Sequence, residues 1–250
     1  MSRETPSPWQ WPHFDRQQER HLYPFGVVPR LLLFWMTTEA VRTRSRILHP
    51  GASVADFMRE LGMNPNNGSA GAKRSDARRL KEQMLRLFRA TVSFEVNMPS
   101  THLAGTTEWL DMPITTSGRV WWDFKQPAQG TMFDSVIELG EKFFNAIIAA
   151  PVPVDMRALK ALMRSALALD LYSWASYRAY TVTQAGKPSF IPWDGLAAQL
   201  GADYADPKDF RRKAIAALRK VQTVSPSLRL ADAVGGFIIQ PSPAIGHPST

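Results

Sequence analysis

The residues best placed to do chemistry in this chain are cations. Over residues 207–221 the order is Pro-Lys-Asp-Phe-Arg-Arg-Lys-Ala-Ile-Ala-Ala-Leu-Arg-Lys-Val. At about 100° per residue, Phe210, Ala214, Ala217, Leu218 and Val221 fall on one side of a helix. Lys208, Arg212 and Arg219 fall on the opposite side, within about 40° of one another, and Arg211, Lys213 and Lys220 flank them. Six cations face one acid, Asp209. An ordinary solvated helix face mixes signs in i, i+4 pairs. A stripe of one sign beside an apolar stripe fits a helix that packs on a core and meets a polyanion. Phosphate contact is the chemistry such a stripe performs, and arginine can also read guanine with two donors at once.

A second stretch is similar. Over residues 75–89, Ala77, Leu80, Met84, Leu87 and Phe88 make a core face. Arg74, Arg78, Arg86 and Arg89 project away from it, interrupted by Glu82, with Lys73 and Arg79 beside them. Residues 69–89 carry a net charge of +5, as do residues 207–220. The DNA-contacting set is therefore Lys73, Arg74, Arg78, Arg79 and Arg86, with Lys208, Arg211, Arg212, Lys213, Arg219 and Lys220. The second stretch could equally join a protein interface.

Two look-alikes are set aside. Gly68-Ser69-Ala70-Gly71-Ala72-Lys73-Arg74-Ser75 lacks the spacing of a nucleotide-binding loop, and no strand precedes it. Its backbone amides remain able to hold a DNA phosphate at a helix start. Gln83-Met84-Leu85-Arg86-Leu87-Phe88 resembles peptides that bind bacterial sliding clamps, but Met84, Leu87 and Phe88 belong to the core face.

Catalytic patterns are missing. His13, His21, His49, His102 and His247 show no metal-ligand spacing and no His-x-His pair. Carboxylates stand singly, without the cluster of a two-metal nuclease. Asp194, Asp203 and Asp206 read as helix caps and loop residues. No nucleophile elbow occurs. The chain has no cysteine, which excludes disulfides, thiolate zinc sites, iron–sulfur clusters and cysteine nucleophiles. No enzyme, metal or cofactor is expected. The rival from that class is a DNA-processing enzyme with a site spread along the sequence.

Composition frames these sites. The 250 residues carry a net charge of +8 and are 44% hydrophobic, enough for a real core. Residues 1–150 hold 18 basic and 15 acidic side chains, and residues 151–250 hold 12 and 7. No apolar run is long enough to cross a membrane, and the aromatic, polar start (Trp9, Trp11, Phe14) has no signal core. A cytoplasmic protein is expected.

The elements that must position the cations follow from periodicity. Helices are predicted over Pro29–Arg46 (with Leu32, Leu33, Met36, Ala40 and Val41 inward), Ser53–Leu61 (Phe57, Met58 and Leu61 inward) and Ser75–Arg89. Thr91–Val96 reads as a strand, with Val120–Phe124 as its partner across a long loop. Pro151-Val152-Pro153 marks a junction. Beyond it come a helical stretch, Met156–Thr183, with a break near Leu169–Asp170, a loop over 184–192, a short helix Trp193–Leu200, the basic helix Pro207–Val221, and a hairpin of Leu228–Ala231 with Gly236–Gln240. Both halves read as helix, short helix, basic helix, hairpin. The fold class is mainly α with small β-hairpins (α+β), as two tandem winged-helix domains. Residues 1–20 read as a flexible leader, 21–150 and 151–240 as the domains, and 241–250 as a disordered tail. Trp109, Trp121 and Trp122 are candidates for a self-association surface in the first domain.

The chain also resembles the plasmid-encoded RepA-type replication initiators of proteobacteria. The matching stretches are PFGVVPRLLLFWMTTEAVRTRSR, SVADFMRELG, RLKEQMLRLF, WWDFKQP, PVPVDMRALKAL, SALALDLYSWASYR, IPWDGLAAQLGADY and DFRRKAIAALRKV, in that order, over about residues 22–240. The family's loop before the first basic helix is expected to open on Gly-Gly, and this chain has Gly68-Ser69-Ala70-Gly71. The resemblance implies two winged-helix domains that bind repeated origin sequences (iterons) in double-stranded DNA. It implies recruitment of host replication proteins, whether helicase, initiator or clamp, and plasmid copy control through exchange between a homodimer and a monomer. A winged-helix transcriptional regulator with no role in initiation is the alternative that charge and periodicity leave open.

Overall fold

The computed structural model describes residues 23–67, 75–98, 106–120, 135–152 and 154–242. The chain divides into two compact units that meet in sequence at Pro151 and Val152.

The first unit begins with α1 (Val27–Thr43), which buries Leu31, Leu32, Trp35 and Met36. It ends at Arg44, in the left-handed region at φ 53°. A two-residue strand β1 (Ile47–Leu48) leads to α2 (Val54–Glu60), capped by the Ser53 hydroxyl, which accepts from the Asp56 N–H. Phe57, Met58 and Leu61 are fully buried, as their helical spacing predicts, and Gly62 turns the chain at φ 79°. The basic helix α3 (Asp76–Phe88) is capped by Ser75 in the same manner.

The strands depart from expectation. β2 (Thr91–Met98) pairs not with 120–124 but with β3 (Thr106–Pro113), antiparallel over eight residues, Thr91 opposite Pro113. Of the expected partner, Val120 lies outside any strand and 121–124 fall outside the described residues. β4 (Thr115–Arg119) follows at once and pairs with β5 (Val136–Leu139), which also pairs with β1. The three-stranded sheet therefore runs β1-β5-β4. α4 (Glu141–Ala149) closes the unit.

The second unit opens with α5 (Met156–Leu162) and α6 (Ala166–Ala185). The long helical stretch breaks over 163–165, earlier than 169–170, because the Ser165 hydroxyl caps α6 by accepting from Ala168 N–H at 3.2 Å. Leu169 is buried inside α6, where its periodicity continues unbroken. Next comes β6 (Ser189–Pro192), in the segment expected to be loop. Four residues ending in proline carry no readable alternation, and the partner strand lies about fifty residues away. Then come α7 (Trp193–Gln199), α8 (Pro207–Val224), β7 (Leu230–Ala233) and β8 (Gly236–Ile239). The sheet order is β6-β8-β7.

Laid side by side, the two units share one plan. Each runs helix, edge strand, short helix, basic helix and two strands, with the last strand in the centre of the sheet. The first unit adds the β2–β3 ribbon between its basic helix and its sheet and α4 after the sheet, and the second adds α5 before α6. Gly236 shows how tight the second sheet is. A Cβ there would lie 2.1 Å from the Ile191 carbonyl oxygen and 2.8 Å from the Phe190 ring.

Candidate nucleic-acid interface

The second unit presents α8. Its start is built by local chemistry. The Asp206 carboxylate accepts from the Lys208 N–H at 2.8 Å, and Pro207 occupies the first turn, where its missing N–H costs nothing. Phe210, Ala214, Ala217, Leu218 and Val221 are buried, the face that periodicity selects, and α8 packs on α6. That anchoring forces the other side outward. Lys208, Arg211, Arg212, Lys213, Arg219 and Lys220 are all exposed.

Their surroundings divide them. Arg212 donates to Asp209 Oδ1 at 2.5 Å, and Lys213 Nζ lies 2.7 Å from Asp209 Oδ2. Lys213 also sits 4.7 Å from the centre of the Tyr204 ring. The Arg211 guanidinium lies over Trp193 at 5.8 Å. Hydrogen bonds from Lys213 and then Arg212 hold the Asp209 carboxyl below its ordinary range. Lys208, Arg219 and Lys220 have no side-chain partner among the described residues. The reading of α8 as a face without i, i+4 pairing is thus corrected: Asp209 binds two of its cations. The signal was present, since Arg212 and Lys213 stand three and four residues beyond the acid. Trp193 and Tyr204 as supports for cations come from other segments and have no local signature.

The first unit presents α3 differently. Lys73 and Arg74 fall outside the described residues. Arg78 is exposed. Arg79 is exposed but reaches Asp76 Oδ1 at 3.1 Å, and Asp76 is held in turn by Asn67 Nδ2 at 2.8 Å. Arg86 does not project outward. It is half-buried, its guanidinium stands 5.0 Å over the Phe25 ring, and Nη1 is buried without a hydrogen-bond partner among the described residues. Periodicity could not show this, because Phe25 arrives from the segment before α1. Glu82 and Leu85 are exposed on the same helix, Leu85 by 45%. Gln83 is buried and accepts from the Phe25 N–H at 2.8 Å, so the clamp-like segment is closed within the fold. On β3, Trp109 is 73% exposed. Trp121 and Trp122 fall outside the described residues.

Among the described residues no group of three or more His, Cys, Asp or Glu side chains is placed to hold a metal ion, and no helix is long and apolar enough to cross a membrane.

Fold and surface together define an α+β chain of two like-built units, the second displaying a cationic helix. The family model described as "Plasmid encoded RepA protein" matches residues 23–195, and the chain belongs to that family. The resemblance read from the sequence stretches is thereby borne out. The match ends before α8 begins. Two solved structures of domains 2 and 3 of RctB are similar to the chain. One is 12% identical with a TM-score of 0.51, covering 88% of this chain and 82% of that chain. The other is 13% identical with a TM-score of 0.47, covering 85% and 78%. The former extends the likeness of fold across both units. No curated protein sequence matches the chain.

Proposed function

We propose that this chain initiates plasmid replication by binding repeated origin sequences in double-stranded DNA and then engaging host replication proteins. The observation that carries the DNA reading is the α8 face, six exposed cations opposite five buried apolar residues. Neutralising phosphates releases counterions, which is the main source of affinity for such a surface. Membership of the RepA family supplies the plasmid context.

We read each unit as a winged helix. The order of elements and the position of β5 and β8 in the centre of their sheets support this. In that reading α8 enters the major groove with its N-terminal turns and the β7–β8 hairpin is the wing. The chain makes and breaks no covalent bond. The first unit carries self-association, supported by the exposed Trp109 on a ribbon that has no counterpart among the described residues of the second unit.

Footprinting on DNA from beside the chain's own gene, joined to an origin-dependent plasmid maintenance assay, tests the reading. The expected result is protection of repeated sites, with maintenance lost in the triple variant K208A/R219A/K220A. Protection without any effect on maintenance would leave a transcriptional regulator instead. A nicked product from supercoiled plasmid with magnesium would overturn the non-enzymatic part.

A further inference from the structure

The six cations of α8 are not equivalent. Three are held before any partner arrives: Arg211 over Trp193, and Arg212 and Lys213 on the two oxygens of Asp209. All three lie in the N-terminal half of the helix. Lys208, Arg219 and Lys220 are exposed and have no side-chain partner among the described residues.

Resting on the DNA reading above, we infer that Asp209 is a positioning residue for sequence readout: its carboxylate fixes Arg212 and Lys213 on the outer face of α8 so that Arg212 meets a base edge already aimed. Phosphate contact tolerates a mobile cation, because charge alone is required. Guanine readout does not, because two donors must align with O6 and N7 together. A long side chain that is ordered in the free protein loses less freedom on binding. Arg212 donates to Asp209 through one terminal nitrogen, and no partner among the described residues engages the other or Nε. The fork is held at one corner and open at the rest.

Stability is not a sufficient reason for the pair. The Arg212 side chain is 74% exposed, and exposed ion pairs contribute little. Electrostatics sharpens the point. A carboxylate amid a cationic face opposes every phosphate equally, so it lowers affinity for unrelated DNA. A repulsion felt by every phosphate weakens all duplexes alike and cancels in the ratio of specific to nonspecific binding, so any change in that ratio comes through the aimed Arg212. Its low pKa keeps it charged through the neutral range.

The test uses the full chain and two duplexes: the sequence that wild-type protein selects from a random pool, and a scrambled duplex of the same composition. The readout is the ratio of the two affinities in wild type, Asp209→Ala, Arg212→Ala and the double variant. Asp209→Ala should lower the ratio about tenfold, while affinity for the scrambled duplex holds or rises. The double variant should discriminate no worse than Arg212→Ala, because the carboxylate acts through that arginine. Asp209→Asn, which keeps the side-chain shape at the helix start, should move the ratio in the same direction if alanine disturbs the fold. An unchanged ratio in Asp209→Ala overturns the proposal. So does an additive loss in the double variant, since a residue acting only on helix stability would add. A wild-type chain that prefers no duplex removes the DNA reading itself, whereas a preference that survives Asp209→Ala removes only this inference.

Discussion

At the scale of single residues, charge pairing separates what reads from what merely attracts. Arg212→Ala is expected to cost about 1–3 kcal/mol of discrimination if the side chain makes a bidentate base contact. Competition binding at one salt concentration checks this. Two other residues make the fold sensitive to pH. The Asp155 side chain caps α5, accepting from the Arg157 N–H at 2.7 Å, and the Arg157 guanidinium holds its carboxyl below the ordinary range. A carboxyl lowered on folding stabilises the native state above its unfolded pKa, about 4, and that contribution fades as pH falls through the lowered value. Asp155→Asn should therefore flatten the acid limb of the stability curve, measured by denaturant unfolding between pH 5 and pH 2. Tyr172 has the opposite sense. Its ring is buried, its hydroxyl accepts from the Asp155 N–H at 2.9 Å, and burial raises its pKa. A neutral acid whose pKa rises on folding stabilises the native state fully below its unfolded pKa, about 10, and less as pH climbs past it. Tyr172→Phe should cost about 1–3 kcal/mol at neutral pH, through the orphaned N–H, and remove that alkaline loss.

At the scale of elements, the helices and the β7–β8 hairpin were legible and the other strand partners were not. α2, α3 and α8 announce themselves because their buried residues recur every three or four positions, and the core face read for α8 is the observed one to the residue. Arg86 was misplaced because a helix wheel shows direction but not what waits there, and Phe25 waits there. β3 was missed because Thr-Thr-Glu-Trp-Leu-Asp-Met-Pro shows no clean alternation and ends in proline. β6 was missed because its partner is remote. Strand pairing is a long-range fact, and periodicity is a local one. The packing at Gly236 gives a prediction on this scale. Gly236→Ala forces a methyl against the Ile191 carbonyl, where neither backbone can yield cheaply. The expected loss is about 3 kcal/mol, seen as a lowered unfolding midpoint of the second unit. Gly235→Ala, in open space but at φ 77°, should cost less, about 1 kcal/mol.

At the scale of the whole molecule, the contrast between α3 and α8 predicts unequal handling of DNA. Removing Lys208, Arg219 and Lys220 together should make the log–log salt slope shallower by up to about 2.7, if each touches a phosphate. Removing Arg78, Arg79 and Arg86 should change it less, because two of those cations are engaged within the fold. Salt titrations on one fixed duplex distinguish the two outcomes, and equal slopes for both variants would restore α3 to full partnership. Sedimentation of the chain with Trp109→Ser should show weaker self-association than wild type. Finally, the pairing of β1 with β5 joins Ile47 to Glu138, about 90 residues apart. A ribosome adds roughly 5–20 residues per second, so β1 waits on the order of 5–20 seconds for its mate. Throughout that interval Leu48, fully buried in the finished unit, has no strand to lie against. The nascent chain thus carries an open strand edge while its basic helix is already out, and this is the period in which a chaperone that shields extended segments would matter most to its yield.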